Sequence, residues 1–184
     1  MVYKVIGLMS GSSLDGLDIV FTELQETAGK WHYEIINSVC IEYDKTWQKK
    51  LREAIDLMAI DYQLLHTEYG KFIGEKINEF IEANNLQHKV NLVSSHGHTT
   101  FHLPEKKMTH QLGEGAAIAS ETKLPVVSDL RSMDIAFGGQ GEHFTGAERY
   151  TAAACLHHPG DGCGGLGLNP HVAHLRGCSD CLCC

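Results

Sequence analysis

A short turn near the start of the chain carries residue types that suit phosphate binding. Residues 5–21 read VIGLMSGSSLDGLDIVF, so two apolar runs flank a Ser-Gly-Ser-Ser-Leu-Asp-Gly segment. Gly11 and Gly16 let backbone N–H groups approach a ligand closely, and the serine hydroxyls add donors for phosphate oxygens. Asp15 or Asp18 could hold a Mg²⁺ ion that accompanies nucleotide phosphate, because this ion prefers carboxylate and water oxygens. The alternative is a plain hairpin turn in which Asp-Gly only satisfies the backbone geometry.

A second group of polar side chains follows later predicted strands. The candidates for ligand binding are His96, Gln111, Glu114, Arg131 and Asp134. They suit a small polar ligand, with Arg131 as a fork for a carboxylate. The structural alternatives are histidines with satisfied hydrogen bonds, a cap for the next helix, and an ion pair between Arg131 and a neighbouring aspartate. His96 and His98 are predicted to face opposite ways at a strand end, so we do not expect them to bind one metal ion together.

The apolar patterns predict an α/β domain in which these polar groups lie at strand ends. A meander of three strands is predicted over residues 1–10, 17–24 and 31–43. The spacing then becomes helical, with a short helix after Lys45 and a long one that has Asp61 as N-cap and Asn84 near its end. The other predicted elements are a strand over 90–97, a hairpin of 99–102 with 108–111, a helix over 114–122 and a strand over 124–130. Open α/β sheets bind ligands at strand ends.

Composition and charge exclude several classes of protein. Hydrophobic residues make up 43% and charged residues 21% of the 184-residue chain, as in ordinary globular domains. The formal net charge of -8 argues against nucleic-acid and anionic-membrane binding, which both favour a basic face. The sequence contains no apolar run of transmembrane length and no pattern of a secretory signal. We therefore expect a cytoplasmic protein with no nucleic-acid and no membrane partner.

The composition changes after Gly141. Cys40 is the only cysteine in residues 1–141, whereas the other six of the seven cysteines lie in residues 142–184. We predict that residues 1–141 form a folded lobe and that residues 142–184 form an irregular Cys/His/Gly-rich tail, either disordered or translated from a shifted frame. The alternative is a small zinc module. Its candidate ligands are Cys163, His171, His174, Cys178, Cys181, Cys183 and Cys184.

Three motifs between about residues 5 and 141 agree in order and spacing with one family. They are GLMSGSSLDGLDIV, SSHGHTTFHLP and HQLGEGAAIASETKLPVVSDLRSMDIAFGGQG. Together they resemble the N-terminal half of bacterial anhydro-N-acetylmuramic acid kinase. The resemblance implies an actin/hexokinase-like fold, with two ribonuclease-H-like lobes that hold ATP between them. It also implies a cytoplasmic enzyme of peptidoglycan recycling, which opens the 1,6-anhydro ring with water and transfers the ATP γ-phosphoryl group to O6, giving N-acetylmuramic acid 6-phosphate.

The resemblance assigns roles to the residues singled out above. ATP and Mg²⁺ become the expected cofactors, and the anhydro sugar becomes the expected substrate. The nucleotide-phosphate motif falls on Gly11, Ser12, Ser13, Leu14, Asp15, Gly16, Leu17 and Asp18. The family commonly has threonine where this chain has Ser12, which keeps the hydroxyl. The sugar-side candidates are His96, Gln111, Glu114, Arg131 and Asp134, with Arg131 as the partner of the lactyl carboxylate.

The chain departs from the family pattern in its length. Family members are longer, and their second half contains an Asp-Thr-Gly-Pro-Gly-Asn segment with the expected water-activating aspartate. That segment does not occur in this sequence, so we expect a truncated form with negligible activity of its own. We also expect surface that the second half would cover, and hence self-association such as a homodimer. The competing hypothesis is a non-catalytic nucleotide- or zinc-binding regulatory fragment.

Overall fold

A computed structural model gives the structure of residues 1–141, and the predicted tail with its candidate zinc ligands lies outside these described residues. The strands are Val2–Ser10 (β1), Gly16–Thr27 (β2), Lys30–Glu42 (β3), Leu92–Leu103 (β4), Met108–Leu112 (β5) and Val126–Val127 (β6). The helices are Lys45–Arg52 (α1), Ala59–Ala83 (α2), Gly115–Thr122 (α3) and Ser132–Ala136 (α4), with 3₁₀ turns at Ala54–Asp56 and Pro104–Lys106. The predicted α/β class is confirmed for this part of the chain.

One mixed sheet of six strands organises the domain. Its order is β3-β2-β1-β4-β5, and β6 also pairs with β4. The strands β1, β2 and β3 form the predicted antiparallel meander, whereas β4 runs parallel to β1 and β6 runs parallel to β4. The return from β3 to a parallel neighbour of β1 is made by α1 and α2, as a parallel connection requires.

Strand β4 is longer and less regular than predicted. It continues through residues 96–98, where the sequence suggested that a strand ends. One residue of β1 faces two of β4 there, because Leu8 pairs with Ser95 and Ser10 pairs with His98. The bulge includes Gly97 at φ +72°, where an added Cβ atom would lie 2.3 Å from the carbonyl oxygen of Leu112. A simple alternation of faces therefore does not apply to the two histidines around it.

Among the helices, α2 supplies the largest part of the core that covers the sheet. The residues that it buries are Tyr62, Leu65, Tyr69, Gly70, Ile73, Gly74, Ile77 and Phe80. Leu64, next to the buried Leu65, is 62% exposed although it is apolar. The predicted N-cap Asp61 is also wrong, since the cap is Met58 and Asp61 lies in the first turn, where its charge suits the helix dipole. The predicted end of the helix near Asn84 is confirmed, and Asn84 is its C-cap.

Two glycines of α2 let α3 pack unusually close. An added Cβ atom at Gly70 would lie 2.7 Å from the carbonyl oxygen of Glu114, and one at Gly74 would lie 2.5 Å from the Cβ of Glu121. The close approach brings the start of α3 against α2.

Among residues 1–141, no helix combines the length and the apolar character needed to cross a membrane.

Candidate functional site

The turn that follows β1 lies next to the middle of β4, at the carboxyl end of β1. The two strands are parallel neighbours, and Ser10, the last residue of β1, is paired with His98. The turn formed by residues 11–15 follows directly after Ser10. The predicted phosphate turn therefore lies next to the residues that follow the β4 bulge, at the kind of edge where α/β sheets bind ligands.

The carboxylate of Asp15 shapes the turn from inside. Its Oδ1 accepts a hydrogen bond from the Ser13 hydroxyl at 2.6 Å and another from the Gly16 amide at 3.1 Å. The Leu14 amide donates to the Gly11 carbonyl at 3.3 Å, and Leu14 has a left-handed φ of +57°. These bonds close a tight loop.

The residues of the predicted phosphate motif have two different environments. Ser12, Ser13 and Asp15 are exposed, although the Ser13 hydroxyl and Oδ1 of Asp15 are bonded to each other. Leu14 and Leu17 are 7% and 1% exposed and belong to the main hydrophobic core. The leucines of the motif therefore anchor the turn, and only its polar residues are accessible to a ligand.

Gly16 has a packing reason to be glycine. An added Cβ atom would lie 2.7 Å from the Cys40 sulfur and 2.7 Å from the Ile41 carbonyl oxygen on β3. The sequence suggested that Gly16 permits close approach of phosphate. In the structure its backbone is pressed against β3, so the absence of a side chain serves the pairing of the two strands.

Asp18 is already engaged with a neighbour on β3. It is half-buried, and it shares a hydrogen bond with the Cys40 thiol. Burial, reinforced by the charge and hydrogen bond of Asp18, raises the pKa of Cys40 to about 12, so this thiol stays protonated at neutral pH. Within residues 1–141, no three His, Cys, Asp or Glu side chains form a group that could hold a metal ion on its own.

A buried chain of hydroxyl groups supports the start of the turn. The Tyr43 hydroxyl donates to the Ser10 hydroxyl at 2.8 Å and lies 2.5 Å from the Tyr69 hydroxyl. The Ser10 hydroxyl in turn lies 3.0 Å from Nδ1 of His98. Sequence analysis missed this chain, because both tyrosines occupy positions that read simply as apolar core.

All four side chains of this hydrogen-bonded series are uncharged at neutral pH. Burial raises the pKa of Tyr43 above its ordinary value and that of Tyr69 to about 12. Burial, together with the nearby His96, lowers the pKa of His98 to about 4. The series is therefore joined by hydrogen bonds between neutral groups, next to the predicted phosphate turn.

The side chains of Arg131 and Gln111 both approach the hydroxyl of Thr99 on β4. The Arg131 side chain is only 4% exposed, and its Nη1 lies 3.4 Å from the Thr99 hydroxyl. Nε2 of Gln111 lies 3.4 Å from the same hydroxyl and donates to Thr109 at 2.7 Å. The buried Oε1 of Gln111 has no hydrogen-bond partner among the described residues. A buried amide oxygen without a partner is costly unless a ligand or water supplies a donor.

Arg131 is not part of an ion pair within residues 1–141, so the ion-pair alternative is wrong for this part of the chain. Its Nε donates to the Gly141 carbonyl at 3.1 Å. Asp134 instead accepts the Gly141 amide at 2.8 Å. A buried guanidinium without a carboxylate carries a desolvation cost that a bound anion would offset.

His96 lies near this guanidinium. It is buried, and its Nδ1 lies 3.1 Å from the Gly97 carbonyl oxygen. Burial lowers the pKa of His96, and the charge of Arg131 lowers it further. His96 is therefore neutral at pH 7 and close enough to Arg131 to be affected by its charge.

Glu114 is oriented differently from the other sugar-side candidates. Its Oε2 accepts a hydrogen bond from Thr67 of α2 at 2.8 Å, and its amide donates to the His66 carbonyl at 3.1 Å. It occupies the N-cap position of α3, but its side chain makes no capping hydrogen bond. The structure thus brings His96, Gln111, Arg131 and Asp134 together and ties Glu114 to α2.

Comparison with known proteins agrees with the motifs. A sequence model of the family "Anhydro-N-acetylmuramic acid kinase" matches residues 3–156, and so continues beyond Gly141. A protein of that name from Picosynechococcus sp. is 39% identical over 145 residues, which cover 75% of this chain and 37% of that protein. Proteins of the same name from Brucella canis and Bacillus thuringiensis are 33% and 32% identical, covering 83% and 74% of this chain.

The match is partial on the side of the relatives. The chain spans only 37% to 43% of the length of these curated proteins. The family model nevertheless covers most of the chain itself. This chain belongs to the anhydro-N-acetylmuramic acid kinase family.

Proposed function

We propose that this chain forms the N-terminal lobe of an ATP-dependent kinase that opens 1,6-anhydro-N-acetylmuramic acid with water and phosphorylates O6. The product is N-acetylmuramic acid 6-phosphate, an intermediate of peptidoglycan recycling. The observation that carries the proposal is the pairing of Ser10 with His98, which joins an exposed serine turn to a buried cluster around Arg131 at one sheet edge. Family membership supports the kinase over a non-catalytic regulatory fragment.

The fold that we propose is the actin/hexokinase-like one, with residues 1–141 as one ribonuclease-H-like lobe. The strand order β3-β2-β1-β4, with β2 antiparallel to its neighbours and β6 parallel to β4, supports this assignment. A second lobe would then close over the same edge of the sheet. The expected water-activating aspartate would come from that second lobe.

The turn suits the phosphate groups of ATP. Ser12 exposes its hydroxyl, and the amides of Ser12 and Ser13 make no hydrogen bond to another group of residues 1–141. The Ser13 hydroxyl is exposed too, but it donates its hydrogen to Asp15. Several donors directed at one point are what phosphate oxygens require. Phosphoryl transfer depends mainly on positioning and charge stabilisation, so a rigid turn of donors contributes directly to it.

Mg²⁺ would neutralise charge on the transferring phosphate, and Asp15 is the better placed carboxylate to hold it. Asp15 is exposed, and both of its internal hydrogen bonds use Oδ1. Asp18 is half-buried and already bonded to Cys40. An ion that keeps most of its waters and binds phosphate needs only one or two protein carboxylates.

The sugar would bind across Gln111 and Arg131. The guanidinium would bind the lactyl carboxylate, and the unpartnered Oε1 of Gln111 would accept a hydrogen bond from the sugar. His96 is neutral in this environment, so it would contribute a hydrogen bond without repelling the guanidinium of Arg131. Asp134 holds Gly141 in place beside the guanidinium.

We also propose a cytoplasmic location and self-association as a homodimer. The β3 edge strand exposes apolar side chains, including Trp31, Tyr33 and Val39. Exposed apolar groups on an edge strand favour association with another chain. Analytical ultracentrifugation of the 184-residue chain tests this part of the proposal, and a monomer at all concentrations would contradict it.

ATP titration of the 184-residue chain with Mg²⁺ tests the nucleotide site. Ser12→Asp places a negative charge on the exposed turn and should weaken ATP binding by at least about tenfold, since like charges repel at close range. Ser38→Asp is the matched control, because Ser38 is also exposed but lies on β3. Equal affinities of the two variants would overturn the assignment of the turn.

A further inference from the structure

Tyr43 forms hydrogen bonds at both ends of the predicted phosphate turn. Its backbone amide donates to the Asp15 carbonyl at 3.1 Å, at the end of the turn. Its hydroxyl donates to the Ser10 hydroxyl at 2.8 Å, just before the turn begins. One residue of a different segment, located between β3 and α1, therefore spans the turn from Ser10 to Asp15.

The side chain of Tyr43 is itself held rigidly. It is buried, and its hydroxyl is bonded to Tyr69 of α2. Its ring also packs beside Tyr69 and Phe72, with centroid separations of 6.4 Å and 6.2 Å. Contacts of this kind leave the ring little freedom, so the position of the hydroxyl is fixed by α2 rather than by the turn.

We propose that Tyr43 is a positioning residue that fixes the turn for the phosphate groups of a nucleotide. The amide and hydroxyl bonds of Tyr43 are referred to below as the turn clamp. The clamp holds the Ser10 side chain at the start of the donor-rich segment and the Asp15 backbone at its end, and it contacts no ligand itself. This inference rests on the proposed function for its nucleotide part, but the rigidity of the turn can be measured without any ligand.

Tyr43→Phe removes the hydroxyl bond and leaves the ring and the amide bond in place. Hydrogen exchange at the amides of Leu14 and Gly16, read by NMR on the 184-residue chain, reports opening of the turn. We expect exchange there to become about fivefold faster, the factor that one ordinary hydrogen bond contributes to an opening equilibrium. Unchanged exchange at both amides would overturn the proposal.

Tyr62→Phe is the matched control. Tyr62 is also a buried tyrosine, and its hydroxyl is bonded to Thr100, away from the turn. It should lose a comparable hydrogen bond yet leave exchange at Leu14 and Gly16 unchanged. Equal acceleration by both variants would show general loosening and would overturn the clamp.

Ser10→Ala removes the acceptor of the same bond and completes a double-mutant cycle. If the hydroxyls of Ser10 and Tyr43 act together, the double variant should exchange no faster than the faster single variant. Fully additive effects would contradict the clamp.

Binding of ATP and of inorganic tripolyphosphate separates the two proposals. Tyr43→Phe should weaken both by about fivefold, and Tyr62→Phe should leave both unchanged. If Tyr43→Phe loosens the turn but binds both probes like the wild type, the clamp has no role in phosphate binding and this inference is wrong. If the wild type binds neither probe while the exchange results hold, the proposed nucleotide site fails and the clamp stands as a property of the turn.

Discussion

Arg131 and Asp134 hold the same residue, Gly141, and do not pair with each other in the described part of the chain. The guanidinium donates to the Gly141 carbonyl, and the carboxylate accepts the Gly141 amide. The charge of Arg131 is thus buried without a carboxylate among residues 1–141. This arrangement fixes the position of the guanidinium and leaves its charge without a partner carboxylate in this part of the chain.

Arg131→Ala should reduce the preference of the protein for a carboxylate-bearing sugar. Loss of a charge-assisted hydrogen bond costs about 1.5–3 kcal/mol, or tenfold and more in affinity. Calorimetric titration with anhydro-N-acetylmuramic acid and with the corresponding sugar that lacks the lactyl group measures this preference. The control is Arg52→Ala, on an exposed residue of α1. An equal loss of affinity for both sugars would refute the assignment.

Asp134→Ala should destabilise the folded domain by about 1–3 kcal/mol, because the buried Gly141 then loses the acceptor for its amide. Asp134→Asn retains an oxygen that can accept this hydrogen bond and should cost less than half as much. Chemical denaturation of both variants gives the comparison. Equal destabilisation by both would mean that the charge of Asp134, rather than its hydrogen bond, is what matters.

Gly16→Ala should destabilise the domain by about 1–3 kcal/mol, since its Cβ atom would overlap with Cys40 and Ile41 on β3. Ser12→Ala, in the exposed part of the same turn, should change the free energy of unfolding by less than about 0.5 kcal/mol. Thermal denaturation without nucleotide distinguishes the two. If Gly16→Ala is as stable as the wild type, the glycine serves the ligand rather than the packing.

Stability should fall as the pH falls from about 6.5 to about 4. The pKa of His98 is lowered from the usual 6.5 to about 4 in the folded protein, mainly by burial. In this window the unfolded chain binds a proton at His98 and the folded chain does not, so acid favours unfolding. The contribution of the neutral His98 to the free energy of unfolding is fully present above pH 6.5. It falls by about 3 kcal/mol in total as the pH decreases, and it is lost below pH 4.

His98→Gln should flatten this pH dependence of the free energy of unfolding. The half-buried His66 and the buried His96 contribute to the part that remains, since burial also lowers their pKa values. His32→Gln is the control, because His32 is exposed on β3. Denaturation curves recorded between pH 4 and 8 decide the question. An unchanged slope in His98→Gln would contradict the burial argument.

The regular elements could be predicted from local patterns. The three-strand meander is visible as runs of strand-favouring residues separated by turns, and the long helix as a period of about 3.6 residues, and both are confirmed. The errors lie where tertiary contacts override a local signal. Met58 caps α2 although Asp61 is the better capping residue by type, and β4 continues through the bulge at Gly97 because β1 and β5 both pair with it.

The site could be predicted only in part, because a residue type does not reveal its partner. The polarity of the Ser12 and Ser13 turn is a local property and was visible in the sequence. The bonds of Asp134 and Glu114 depend on Gly141 and on Thr67 of α2, which no local pattern connects to them.

The sequence by itself determined the α/β class, the family and the position of the turn between two strands, since these depend on short-range patterns and on contiguous motifs. Only the tertiary structure decided that Tyr43 bonds both Ser10 and Asp15, that Gly16 packs against β3, and that Arg131 has no ion pair in residues 1–141. The physical reason is that hydrogen bonds and close packing join residues far apart in the chain, and their geometry exists only once the sheet and α2 have assembled.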